Sequence, residues 1–330
     1  MKIKILSRDE VAQAVSMAEA IETVKRAFIQ FSAGKAEMPL RTQIPVKKQK
    51  AVALFMPAYL AESGALGAKI VSVFPNNKRK KLPTIHALVV VVDAKTGRPL
   101  AVMDGTYLTA LRTGAASGLA SDLLARKDAC TAAIFGAGTQ SRTQLEAICT
   151  VRNIEKVCVY DIVPKMARDY AKEMKTYGSP VQADIFVVKS PKQAVQEADI
   201  ICTATTSFRP VFNDSDLKPG VHINGVGSYT PEMHEIPART VVRAKVVVDS
   251  RQACLAEAGD LIISISGGII SDKHIYGEIG EIAAGKIVGR ESEGELTFFK
   301  SVGLAVQDVA VAKLILRRAE ELDFGLDVDI

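Results

Sequence analysis

Apolar and polar positions follow one period near the start of the chain and another after it. Val11, Val15, Ala18, Ile21, Val24, Phe28 and Phe31 recur at helical spacing behind a Ser7/Glu10 capping box, and Gly34 follows. This predicts one N-terminal helix. The segments "AVALFMPAYL" (51–60) and "ALGAKIVSVFP" (65–75) then read as strands, and residues 84–105 as two strands around a Lys95-Thr96-Gly97 turn. From about residue 120 the pattern changes again. "TAAIF" (131–135), "KVCVYD" (156–161), "ADIICTAT" (198–205), "GVHINGVG" (220–227) and "AKVVVD" (244–249) are continuous apolar runs separated by helical stretches. Strands buried on both faces of a parallel sheet have this form. The last long stretch, 298–322, reads as a short turn and one amphipathic helix that packs back on the N-terminal part. The prediction is an α/β chain with a doubly wound parallel sheet over residues 116–299. A second, α+β domain on a largely antiparallel sheet takes residues 1–115 and is completed by the C-terminal helix, residues 300–330.

Length and composition support this division. A chain of 330 residues exceeds one ordinary hydrophobic core, and 48% apolar with 24% charged residues is ordinary globular composition. No apolar run approaches the roughly 18 residues of a membrane helix, and "MKIKILSRDE" runs straight into charge, so a cytoplasmic protein with no membrane partner is expected. Cys130, Cys149, Cys158, Cys202 and Cys254 lie singly and read as small buried hydrophobes. The formal charge is only +5, and the basic clusters at 46–50 and 77–81 lack interleaved aromatics. They read as solvated loops, or as a rim that attracts an anionic substrate, and not as a nucleic-acid surface.

The sharpest motif is "AAIFGAGTQS" (132–141), a strand that breaks at two glycines and becomes a helix. Gly136 suits a tight turn, Gly138 lets backbone approach a pyrophosphate, and Ser141 is small enough to keep helix and strand close. Helix-terminal N–H groups then face the phosphates. Asp161 ends the next apolar run, twenty-five positions after Gly136. A carboxylate there accepts from ribose hydroxyls and repels a 2′-phosphate, which favours NAD. Lys165 and Arg168 downstream keep NADP open. Together these features predict a Rossmann-type dinucleotide domain.

Cations inside apolar segments raise a second question, because an unpaired buried charge is costly. Arg41 lies in "MPLRTQIPV", Lys69 in "LGAKIVSVFP" and Arg112 in "TALRTGAAS". Two guanidinium forks and an ammonium suit a planar carboxylate, while ion pairs at domain or subunit contacts are the plainer alternative. His86 shares a strand face with Thr84 and either reaches a pocket or is an ordinary strand histidine. His222 sits in a buried run, and His234 and His274 in polar loops. No metal-ligand spacing is present. Glu257, Asp260, Glu278 and Glu281 read as a solvated acidic face, with Glu257 and Asp260 near the cleft.

The segments quoted above, with "LPTIHALVVVVDAKTGRPLAVMDGTYLTALRTGAAS" and "FFKSVGLAVQD", resemble the ornithine cyclodeaminase and mu-crystallin family over essentially the whole chain. The resemblance implies a homodimer, with a substrate and dimerisation domain joined by the C-terminal helix and a Rossmann domain between. It implies that Arg41, Lys69 and Arg112 hold a substrate carboxylate, with Lys69 and Arg112 closest to the chemistry. Thr84, Thr113, Thr139, Gln140, Asp161, Thr203 and Val226 match substrate- or cofactor-contacting positions of the family, and Val302 borders the nicotinamide. Cyclodeaminases carry an acid/base Asp where this chain has Tyr229. A tyrosine, with an ordinary pKa of about 10, is a poor base at neutral pH. The sequence is therefore similar to the ketimine-reducing branch. The implied activity is NAD(P)H-dependent reduction of a cyclic imino acid, Δ1-pyrroline-2-carboxylate to L-proline or its six-membered homologue to L-pipecolate. Cyclodeamination of ornithine, alanine dehydrogenation and a crystallin-like ligand carrier are the alternatives.

Overall fold

The fold is given by a computed structural model that describes residues 1–330 apart from the side chain of Lys78. The chain divides into two compact units, Met1–Arg112 with Leu304–Ile330, and Thr113–Gly303.

In the first unit the sheet runs Leu326–Asp329, Lys2–Leu6, Pro99–Asp104, Ile85–Asp93, Ala65–Val73, Ala51–Leu60, Ala36–Glu37, and Thr42–Val46 pairs beside Ala51–Leu60. Pairing is antiparallel except between Lys2–Leu6 and Pro99–Asp104. Alternation sorts the faces: Met56, Lys69 and Val89 lie opposite one another and are buried, whereas their neighbours Phe55, Ile70 and Leu88 form an exposed row. Helix Ala305–Glu321 packs on these strands and on helix Met17–Ser32. The hairpin at 95–97 forms because Gly97 adopts φ +73° and Asp93 accepts from the Lys95 N–H and the Thr96 hydroxyl.

Three sequence expectations change here. The single N-terminal helix is two, Arg8–Ala14 and Met17–Ser32, because Ser16 and Glu19 build a second capping box that restarts the helix. The strands Lys2–Leu6 and Leu326–Asp329, unread from sequence, pair with each other and bring the two ends of the chain together. The 298–322 helix begins only at Ala305, since Thr297–Lys300 is a buried strand of the other unit.

The second unit is an eight-stranded, wholly parallel sheet in the order Asp184–Val187, Lys156–Tyr160, Thr131–Phe135, Ile200–Thr203, His222–Gly225, Thr297–Lys300, Lys245–Val248, Ile275–Glu278. The chain order reverses between Thr131–Phe135 and Ile200–Thr203. In doubly wound sheets a ligand crevice opens at that switch point, outside the carboxyl ends of the strands. The α/β class with a Rossmann-type parallel sheet and a second α+β part is therefore the observed one. Strands Asp184–Val187 and Ile275–Glu278 escaped the sequence reading because each has only four residues and sits at a sheet edge.

The acidic run also differs from expectation. Asp260 is fully buried and Glu257 nearly so, while Glu278 and Glu281 are half-buried and cap the short helix Ile279–Ala283. Among the described residues no helix is long and apolar enough to cross a membrane. Cys158, Cys202 and Cys254 are buried, and burial pushes the Cys202 thiol up to about 12.

The second capping box supplies a stability test. Ser16→Ala removes the acceptor for the Glu19 N–H and is expected to cost about 1 kcal/mol, read as a lower urea midpoint with unchanged slope.

Candidate functional site

In the first unit the strand register turns Lys69 inward, between Met56 and Val89, so its ammonium enters the core. The first turn of helix Ala305–Glu321 supplies the counter-charge. Asp308 is fully buried, with Oδ2 2.7 Å from Lys69 Nζ and Oδ1 accepting from Arg112 Nε at 3.0 Å. A helix N-terminus also favours a carboxylate. Gln307, one residue earlier, accepts from Arg112 Nη1 at 3.3 Å and from the Leu304 N–H at 2.8 Å, which ties the guanidinium to the start of the helix. Burial, with added repulsion from Arg112 and Arg41, pulls the Lys69 pKa down to about 7, although Asp308 acts in the opposite direction. Arg41, half-buried just before strand Thr42–Val46, is thus near enough to be felt by Lys69.

Lys69 and Arg112 therefore share one acid that sequence reasoning missed, and Arg41 lies close enough to repel Lys69. The acid's signal was present: Asp308 is an acid at the start of an amphipathic helix, among residues that are mostly apolar and buried. Counted with Lys69 as an ammonium, three positive charges meet one negative. Thr84 is half-buried at the edge of strand Ile85–Asp93, with its carbonyl paired to the Phe74 N–H, well along the strand from Val89. His86 is exposed on the same strand.

In the second unit the glycine loop lies at the switch point. Gly136 has φ +86°, and a Cβ there would stand 2.8 Å from the Ala204 carbonyl oxygen, so glycine is required. Gly138 caps helix Thr139–Val151, and a Cβ on it would meet nothing within 4 Å. The protein leaves that space open above the helix N-terminus. Gln140 Oε1 beside it is buried with no hydrogen-bond partner among the described residues. An open cradle above a helix N-terminus fits a dinucleotide pyrophosphate, and the orphaned Gln140 oxygen is an acceptor free for a ligand hydroxyl or N–H. Ser141 is buried, and its hydroxyl donates to the Gly136 carbonyl.

Asp161 is half-buried and accepts from the Ala137 N–H and the Val163 N–H, both at 2.8 Å. A carboxylate has about four acceptor positions, so capacity for ribose hydroxyls remains. Lys165 pairs with Asp169 at 2.5 Å. Thr113 is buried, Thr139 exposed and Val226 half-buried, with the Val226 N–H bound to the Thr203 carbonyl. Tyr229 is 38% exposed.

Two buried carboxylates that the sequence reading passed over hold these loops. Glu235 accepts from the Thr203 and Thr205 hydroxyls and from the N–H groups of Thr205, Gly227 and Ser228. It thereby fastens the chain leaving Ile200–Thr203 to the chain leaving His222–Gly225. Burial and the nearby Asp260 raise its pKa, with Lys300 and Thr205 opposing. Asp260 accepts from the Glu235 and Ile236 N–H groups and pairs with Lys300 at 3.1 Å. Asp249 Oδ2 accepts from the Ser301 hydroxyl and the N–H groups of Val302 and Gly303, which fixes Val302 in place.

A wholly parallel doubly wound sheet with a glycine loop at its switch point defines a Rossmann-type α/β protein. The chain belongs to the ornithine cyclodeaminase/mu-crystallin family, whose profile matches residues 1–323. It is 42% identical over 327 residues to the Delta(1)-pyrroline-2-carboxylate reductase of Bacillus cereus, covering 98% of this chain and 99% of that one. It is similar in structure to the Delta(1)-pyrroline-2-carboxylate reductase of Thermococcus litoralis solved with NADH and L-proline, with a TM-score of 0.95, 47% identity and coverage of 99% and 100% of the two chains. An archaeal alanine dehydrogenase dimer with bound NAD gives a TM-score of 0.93 at 37% identity over the whole of both chains.

The role of Glu235 can be measured without any ligand. Glu235→Ala strands three backbone amides in a buried loop and is expected to cost about 3 kcal/mol or more in urea unfolding.

Proposed function

We propose that this protein is an NADH-dependent ketimine reductase that converts Δ1-pyrroline-2-carboxylate to L-proline. The observation that carries the reading is the buried pairing of Lys69 and Arg112 with Asp308, with Arg41 close enough to repel Lys69, so that cations outnumber the acid and a ligand carboxylate reduces the excess. The two reductases described above support the choice of imino acid. When bound, the reduced nicotinamide supplies the hydride for the imine carbon.

The remaining chemistry belongs to the chain. Arg41 and Arg112 hold the carboxylate, and Thr84 and Tyr229 are assigned to the substrate as well. Lys69 donates the proton that the ring nitrogen needs once the C=N pair has moved onto it. Burial makes the ammonium readier to give up that proton near neutral pH than a solvated lysine. Gly136, Gly138 and the first turn with Thr139 and Gln140 hold the pyrophosphate, and Asp161 the adenosine ribose. Thr113, Thr203, Val226 and Val302 complete the cofactor contacts. Asp161, together with the engagement of Lys165 by Asp169, favours NADH over NADPH. Tyr229 in the place of an acid/base carboxylate disfavours deamination.

The reading assigns the first unit to substrate and dimerisation and the second to the cofactor, and it implies a cytoplasmic setting where reduced nicotinamide is available. A homodimer is supported by the exposed apolar row Phe55, Ile70 and Leu88, with Ile44 exposed two positions along on the adjoining strand. Such a contiguous apolar patch is typical of a protein interface.

Mixing the protein with Δ1-pyrroline-2-carboxylate is expected to consume NADH absorbance faster than NADPH absorbance and to yield L-proline. No oxidation of either cofactor overturns the reading, and oxidation only with pyruvate and ammonia replaces it with alanine dehydrogenation. Separately, Ile70→Asp is expected to convert a dimer to monomers in sedimentation or light scattering, while an unchanged mass removes this sheet face from the interface.

A further inference from the structure

The cluster around Lys69 has a charge arrangement that the proposed chemistry does not by itself require. Asp308 divides its two oxygens between two cations, Oδ2 toward Lys69 and Oδ1 toward Arg112. The charged groups that bear most on Lys69 are Asp308 from helix Ala305–Glu321, Arg112 from helix Gly105–Leu124, and Arg41 from the segment before strand Thr42–Val46. The strand neighbours opposite Lys69, Met56 and Val89, are apolar and buried. One carboxylate is therefore shared by the Arg112 guanidinium, which keeps its charge, and the Lys69 amine, which can shed it, while the Arg41 guanidinium repels Lys69. A lysine can lose its proton here, whereas an arginine cannot.

We propose that Asp308 is a positioning residue that keeps Lys69 poised to take up a proton when a ligand carboxylate enters the cluster. The incoming anion brings the second negative charge, and the Lys69 amine takes one proton from solvent and becomes the ammonium. Nothing is oxidised or reduced in this step. Substrate binding thus creates the proton donor that the reduction uses. After that proton passes to the ring nitrogen and product leaves, Lys69 is again the neutral amine.

Burial and its two guanidinium neighbours pull the Lys69 pKa down to about 7, so that loss of its proton comes within reach of neutral pH. Asp308 is the group that opposes them. Without its charge, Lys69 gives up its proton at lower pH, and the acid form needed for catalysis is lost at lower pH too. This inference rests on the ketimine reductase reading for the use of the proton, while the uptake itself is a property of carboxylate binding.

The experiment is titration calorimetry with cyclopentanecarboxylate, a ring carboxylate with no nitrogen of its own to titrate, on the NAD-saturated protein in buffers of different ionisation enthalpy. At pH 7 the wild type is expected to take up about half a proton per site, rising toward about one at pH 8. In Lys69→Gln the uptake is expected to vanish. In Asp308→Asn the uptake curve and the alkaline limb of kcat/KM for the imino acid are both expected to move at least about one pH unit lower, with Asp308→Glu restoring part of the shift. Carboxylate binding with no proton uptake, or no binding at all, overturns the proposal. So does an Asp308→Asn variant with reduced stability and an unmoved pH profile. If Asp308→Asn does not fold, Lys69→Gln decides, since uptake that persists without the lysine also overturns it. Turnover of the imino acid is scored separately, so proton uptake can fail while the reductase reading stands.

Discussion

A carboxylate removed from water must be met by donors or by counter-charge, and much of this structure is arranged around that requirement. Asp308, Glu235, Asp249 and Asp260 are all fully buried, and each is surrounded differently. Asp308 meets two side-chain cations, Asp249 meets mainly backbone N–H groups and hydroxyls, and Glu235 meets five donors from two loops. Asp260 combines two backbone N–H groups with the Lys300 ammonium. The difference in donors corresponds to a difference in task. Acids met by backbone groups fix loops, whereas the acid met by side-chain cations leaves a titratable amine close to the proposed chemistry.

In the second unit this arrangement produces a rigid carboxyl edge. Parallel strands end in loops whose N–H groups have no strand partner, and Glu235 and Asp249 gather those groups at the ends of Ile200–Thr203, His222–Gly225 and Thr297–Lys300. Gly136 passes close to the Ala204 carbonyl, where a Cβ on Gly136 would not fit. Local backbone geometry and buried charge thus act on the same few residues.

In the first unit the alternation of a strand does comparable work. Shifting the register by one residue would expose Lys69 and bury Ile70. The long antiparallel pairing from Leu60↔Ala65 to Val52↔Val73 prevents that shift. Helix Ala305–Glu321 then delivers Asp308 to the same face, from a point in the sequence more than two hundred residues away. A lysine in an apolar strand and an aspartate on the buried face of an amphipathic helix each look misplaced alone and are explained together.

Local pattern was enough for the alternating strands, the continuous apolar runs of the parallel sheet, the glycine loop and the three cations in apolar segments. Each depends on spacing within a few residues, which is what strand period, helix period and turn chemistry govern. It was not enough for the break at Val15–Ser16, for the four-residue edge strands, or for Thr297–Lys300, whose apolar run merges with the helix that follows. Nor did it reveal that Asp260 and Glu257 turn inward, because an acid on a local stretch shows no sign of the distant donor that will bury it. The partners of Lys69, Arg112 and Glu235 were decided by tertiary structure alone. Electrostatic pairing in a core depends on which elements pack together, and that is settled only when the whole chain has folded.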